Sequence, residues 1–152
     1  QEAMLRSKIS HLNIHDHVIT DYKIVEEKER LLYYAACDVA VFPSKYEPFG
    51  IVCIEAMSME KPVVVGAAGI SGFREQVIPS GPDRCGSHVN PYDPLDVAKF
   101  TTELLKNDNL RMELGKNARK RVLESFTLDK AARETIGVYE DITATDAPET
   151  IC

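Results

Sequence analysis

The stretch VAVFPSKYEPFGIVCIEAMSMEKPVVVG, residues 39–66, decides the fold. It opens on an apolar run that ends at a proline and closes on a second that follows Lys-Pro. Each run is short, continuous and rich in valine. Each therefore reads as a strand covered on both faces, over Val39–Phe42 and Val63–Val65. A turn at Tyr46–Phe49 leads from the first strand into a helix from about Gly50 to Met59. That helix offers Ile51, Ile54, Ala56 and Met57 to a core. Two buried strands joined through a helix run parallel to each other.

The same alternation extends outward. Downstream, AAGISGFREQVI reads as a glycine-rich loop entering a short helix, and SHVNP as a third short strand. Upstream, HVIT gives a strand at Val18–Thr20, and EEKERLLYYAA a helix with Leu31, Leu32, Ala35 and Ala36 inward. Met4, Leu5, Ile9 and Leu12 lie on roughly one face of a helix over residues 2–12. The C-terminal part is helical. Asp93 is a good N-cap, with Pro94 in the first helical position and Asp96 in the first turn. Val97, Phe100 and Leu104 line that helix, and Leu110, Leu114, Ala118 and Val122 the next. Thr127 caps a third, over residues 128–140, with Leu128, Ala131, Thr135 and Tyr139 inward. The predicted class is α/β, a parallel sheet with helices on both faces. Residues 1–140 form one domain, and residues 141–152, without periodicity, a frayed tail.

Composition narrows the function. The 24 acidic and 18 basic side chains give a formal charge of −6, which argues against a nucleic-acid surface. An anionic small ligand stays open, because backbone amides hold phosphates without help from a basic protein. No signal peptide and no apolar run of membrane-spanning length is present. Of the four cysteines, Cys37 and Cys53 lie in apolar runs and none forms a CxxC pair. They read as buried thiols of a reducing compartment, so the protein is expected in the cytoplasm or on the cytoplasmic face of a membrane. The chain opens without Met and already in a helical pattern, which suggests a piece of a longer protein.

Ligands of parallel sheets bind outside the carboxyl ends of the strands. Here two such ends, FPSKYEPFG and GAAGISG, belong to consecutive strands and should line one crevice. Gly50 opens a helix whose first amides have no internal acceptor and carry the positive end of the macrodipole. PFGI can thus receive a diphosphate without a lysine. Glu47 precedes that helix, and Glu55 lies about 7–8 Å further along its axis at 1.5 Å per residue. A carboxylate accepts two hydrogen bonds from a vicinal diol. A ligand with hydroxyls at both ends and phosphates between them, such as a nucleotide sugar, fits that separation. On residues alone, the competing view is that Glu47 is a loop residue and Glu55 a solvated one. The apolar neighbours Ile54, Ala56 and Met57 weaken it for Glu55.

The segment LLYYAACDVAVFPSKYEPFGIVCIEAMSMEKPVVVGAAGISGFREQV resembles the donor-binding half of the retaining glycosyltransferases of family 4, or group 1. Their hallmark, Glu, seven residues, Glu, stands here as Glu47 and Glu55. The likeness covers roughly residues 18–130. It implies one half of a GT-B fold, a Rossmann-like domain, here missing its first strands. It implies that Glu47 contacts the donor sugar near the reaction centre and that Glu55 binds the ribose hydroxyls. Amides of Phe49, Gly50 and Ile51 would contact sugar and phosphate. It also implies transfer of a hexose with retention, from a nucleotide-diphosphate sugar, without metal or other cofactor. The acceptor would be held mainly by an absent N-terminal domain. The family's Arg and Lys that neutralise the diphosphate lie before this chain begins, so the piece alone is expected to be inactive. The family's Gly-Gly-x-x-Glu loop corresponds to AAGISGFREQV with two residues inserted, and Gly69, Gly72 and Glu75 are its nearest matches. Gly69 is the donor-contacting candidate there. If the last helix crosses toward the absent half, its apolar face is bare in this chain and can drive self-association.

Two other readings of the whole are a nucleotide-sugar-binding module without catalysis and a GT-B sugar-nucleotide epimerase. His11, His15 and His17 in HLNIHDH are close enough to suggest a metal, but lack a well-spaced acidic or Cys ligand. The basic run KNARKR, residues 116–121, reads as a solvated helix face, with contact to an anionic membrane as the alternative.

Overall fold

A computed structural model of the chain describes residues 2–145. The described residues divide into two compact units, one ending at Arg30 and the other beginning at Leu31.

The first unit holds helix α1 (Glu2–Leu12), with Ile9 its buried residue, and a short 3-10 turn at His15–His17. Arg6 pairs with Glu2 at 2.8 Å and lies 5.0 Å from the ring centre of Tyr22. The strand expected at Val18–Thr20 does not form. Val18 has extended dihedrals, φ −130° and ψ 118°. A strand also needs a partner for its amides and carbonyls, and among the described residues the one sheet consists of three other strands. Ile19 is fully exposed as a result.

Helix α2 (Glu27–Ala36) spans the boundary. In the second unit follow β1 (Ala40–Phe42), α3 (Ile51–Ser58), β2 (Val63–Gly66), α4 (Phe73–Gln76), β3 (Gly86–Val89), α5 (Pro94–Leu105), α6 (Asp108–Ser125) and α7 (Leu128–Thr145). The strands are parallel in the order β1-β2-β3, with Ala40 opposite Val63 and Val63 opposite Gly86. β2 is buried at every position because both of its faces are covered. Val63 and Val65 pack against Cys53, Ala56 and Met57 of α3 and Ala118 and Val122 of α6. Val64 and Val89 on the other face meet Leu104 of α5 and Leu114 of α6. Asp93 caps α5 by accepting the Leu95 amide at 2.9 Å, and the Thr127 hydroxyl accepts the Lys130 amide at 3.2 Å.

Two expected faces are not buried. On α2, Leu31 and Tyr34 are half-buried while Leu32, Ala35 and Ala36 are exposed. The inward stripe runs through positions three apart, and Tyr34 sits edge-on to Phe42 with ring centres 6.5 Å apart. On α7, Leu128, Ala131, Thr135 and Tyr139 are all exposed. The helix also runs on through Thr145, so residues 141–145 are helical rather than frayed; the rest of the expected tail lies outside the described residues. No described helix is long and apolar enough to cross a membrane.

Candidate active site

The turn after β1 is built around one glycine. Gly50 is the N-cap of α3, with φ 93° and ψ 59°, a conformation that residues with a Cβ rarely adopt. It is buried against Phe73, and an added Cβ would lie 2.2 Å from a carbon of that ring. The left-handed residue turns the chain from the β1 loop into the helix, and the parallel β1-α3-β2 connection puts the start of α3 at the carboxyl end of the strands. The Cys53 amide donates to the Gly50 carbonyl at 3.0 Å, which leaves the Ile51 and Val52 amides at the positive end of the dipole.

The loop after β2 is tied to this turn. Glu47 pairs with Ser71 in an isolated parallel bridge, and the Gly72 amide donates to the Glu47 carbonyl at 2.7 Å. Gly72 is required by proximity: a Cβ there would stand 2.4 Å from the Pro48 carbonyl oxygen. The buried Ser71 hydroxyl donates to the Gly66 carbonyl at 2.8 Å. The Gln76 side-chain amide donates to the Phe49 carbonyl at 2.5 Å. The two strand ends expected to share a crevice are therefore bonded to each other.

The far side of the turn is propped by α6. Phe49 is half-exposed and meets Phe126 edge-on, ring centres 6.4 Å apart. Arg121 stacks over Phe126 at 5.3 Å and donates to the Glu75 carbonyl at 2.9 Å. Arg119 donates to the Ser58 carbonyl, and Lys120 pairs with Asp83 at 3.1 Å. The basic run thus fastens α6 to its neighbours.

Of the predicted site residues, Glu47, Phe49, Gly50 and Ile51 sit together on this turn, and Ile51 is exposed. Glu55 is half-buried, one turn into α3, between the wholly buried Cys53 and Ala56. Gly69 lies in the neighbouring loop with φ 72° and open space around it. Ser71, Arg74 and Gln76 were not singled out from sequence. Their signal is faint: polar residues interleaved with Phe73 and Val77 in a short segment. Across the 67–72 loop, a cleft of about 410 Å³ is lined by Ala67, Ala68, Arg74, His88, Val89 and Asn90. Burial pushes His88 below its ordinary value of 6.5, and the Arg74 charge adds to that. Burial likewise pushes the thiols of Cys53 and Cys85 up. The described cysteines are all free. Among the described residues no group of three His, Cys, Asp or Glu is placed to hold a metal.

The chain is 34% identical over 132 residues to the MMP alpha-(1->4)-mannosyltransferase of Mycolicibacterium hassiacum, covering 87% of this chain and 31% of that one. The sucrose-phosphate synthase of Thermosynechococcus elongatus superposes on it with a TM-score of 0.81 at 32% identity, over 93% of this chain and 34% of the synthase. The Anabaena HepE structure in complex with UDP-glucose superposes with a TM-score of 0.77 at 21% identity, over 91% of this chain and 36% of HepE. The chain thus spans about a third of each of these proteins, and its α/β fold is one half of the GT-B architecture. The profile of the family described as glycosyl transferases group 1 matches residues 1–121. That match spans well over half of the chain, and the chain belongs to the group 1 glycosyl transferases.

Proposed function

We propose that the chain is the donor-binding half of a retaining glycosyltransferase that moves a hexose from a nucleotide-diphosphate sugar to an acceptor. The observation that carries this reading is the α3 N-terminus. Its opening amides, at Ile51 and Val52, follow a left-handed Gly50, with one glutamate on each side along the chain. The amides of Phe49, Gly50 and Ile51 and the helix dipole receive the diphosphate. Glu55 accepts the ribose hydroxyls, and Glu47 accepts hydroxyls of the sugar beside the bond that breaks. No metal is needed in this scheme, because dipole and amides spread the diphosphate charge. The acceptor is held by the part of the protein that the relatives have in addition. HepE in complex with UDP-glucose supports a nucleotide sugar as the ligand of this fold.

Calorimetric titration of the chain with UDP-glucose, GDP-mannose and UDP-N-acetylglucosamine tests the reading, alongside Glu55→Ala. Binding of one nucleotide sugar, weakened at least tenfold in Glu55→Ala, is the expected result. Equal binding by both proteins would overturn the role of Glu55.

A further inference from the structure

The cleft across the 67–72 loop is lined by no carboxylate, and Arg74 is its only charged lining residue. The arginine is held in place. Its Nε donates to the Ala67 carbonyl at 2.6 Å, and its own amide donates to the Ser71 carbonyl at 3.3 Å. Its two terminal nitrogens make no hydrogen bond or ion pair among the described residues, whereas Arg6, Arg84, Arg111 and Arg119 each face a carboxylate. A guanidinium pinned at Nε presents its outer edge as a fork, the shape that matches a phosphate or carboxylate.

Asn90 stands at the same cleft, and its orientation is settled by its neighbours. Its Oδ1 accepts the Tyr92 amide at 3.0 Å, so the group left to offer the cleft is its NH2, a pure donor. The nearby carboxylate of Asp96 is engaged by the Asn90 backbone amide at 2.8 Å. His88, neutral near pH 7 because of its burial, adds no negative charge. A cleft with a fixed cation, a side-chain donor and no carboxylate in its lining, in a chain of net charge −6, suits an anion.

We propose that this cleft is an oxyanion pocket, in which Arg74 and the Asn90 amide hold a phosphate or carboxylate group of a substrate. Ser71, three residues before Arg74, is paired to Glu47, so the anion would be held at the same sheet end as the reacting sugar. The pocket stands on its own residues; its assignment to a substrate rests on the donor reading above. The anion is either the donor's diphosphate or a charged group on the acceptor.

Calorimetric titration of the 152-residue chain with sodium orthophosphate and with pyrophosphate, at low ionic strength, tests it. Orthophosphate is expected to bind wild type and Glu55→Ala alike, and Arg74→Gln at least tenfold more weakly, whereas pyrophosphate, which the α3 turn also receives, should lose less. Arg74→Lys, which keeps the charge and loses the fork, should fall between. Should a variant fail to fold, NMR on the wild-type chain at fixed pH gives the same answer: phosphate should move the His88 imidazole resonances and leave those of His11, His15 and His17. Repeating the titration with saturating UDP separates the sources. Unchanged phosphate affinity points to the acceptor, and competition, together with weaker UDP binding by Arg74→Gln, points to the donor diphosphate. Failure of UDP and GDP to bind would count against the donor reading and leave the phosphate result standing. No phosphate binding to wild type, equal binding to Arg74→Gln, or an unmoved His88 resonance would overturn the pocket.

Discussion

Replacing Gly50 by alanine tests the turn on which the site is built. Two costs add. The left-handed conformation, φ 93°, costs a residue with a Cβ about 1–2 kcal/mol. The new methyl would lie 2.2 Å from Cε1 and 2.7 Å from Cδ1 of Phe73. Phe73 is fully buried and touches Phe42, ring centres 6.2 Å apart, so it cannot swing clear without disturbing the β1 face of the core. Overpacking of that kind costs about 1–3 kcal/mol. The sum is roughly 2–5 kcal/mol, or a fall in Tm of roughly 4–20 °C at about 2–4 °C per kcal/mol. Urea and thermal unfolding followed by circular dichroism measure it. The double variant Gly50→Ala/Phe73→Leu separates the terms, because a smaller side chain relieves the clash but not the backbone strain. The Gly50→Ala cost should shrink in the Phe73→Leu background without vanishing. A cost below about 0.5 kcal/mol in the wild-type background would refute both terms.

Further outcomes follow from the same contacts. Gln76→Leu leaves the Phe49 carbonyl without its donor and should cost about 1 kcal/mol, the low end for an unsatisfied group, because the variant also removes the unpaired Gln76 Oε1. Gln76→Glu, which sets an acceptor against that carbonyl, should cost more in the same urea titration. His88 is held below its ordinary value of 6.5 in the folded chain, so below that pH the unfolded state binds the additional proton. The His88 contribution is therefore full above pH 6.5 and is lost as the pH falls below it; urea midpoints at pH 7 and pH 5 should differ less in His88→Asn than in wild type. Cys53 and Cys85 are buried with thiols pushed up, so iodoacetamide at pH 8 should leave both unmodified in the native chain and label both in urea, by peptide mass spectrometry.

What the sequence made legible was whatever carries its own local signal. β1, α3 and β2 followed from valine runs and an apolar helix between them, and the α5 cap from Asp93 and Pro94. The turn into α3 followed from Pro-Phe-Gly. Periodicity, however, shows which face of a helix is apolar and not what covers it. That is why α7 was expected to bury Leu128 and Tyr139 and instead leaves them exposed. Val18–Thr20 shows the same limit for strands: its backbone is extended at Val18, but a ladder is a property of two segments. Ser71, Arg74 and Gln76 were invisible for another reason. Each acts through a backbone carbonyl, at Gly66, Ala67 and Phe49, and such bonds leave no pattern in the partner's residue type.

The central claim is that the first turn of α3 receives a nucleoside diphosphate. Titration of the isotope-labelled chain with UDP and with GDP, followed by amide resonances, tests it most directly. One of the two should move the amides of Phe49, Gly50, Ile51 and Val52 together, in a saturable way, while the amides of exposed α7 stay in place. Saturable shifts confined to other parts of the chain, or none with either nucleotide, would contradict it.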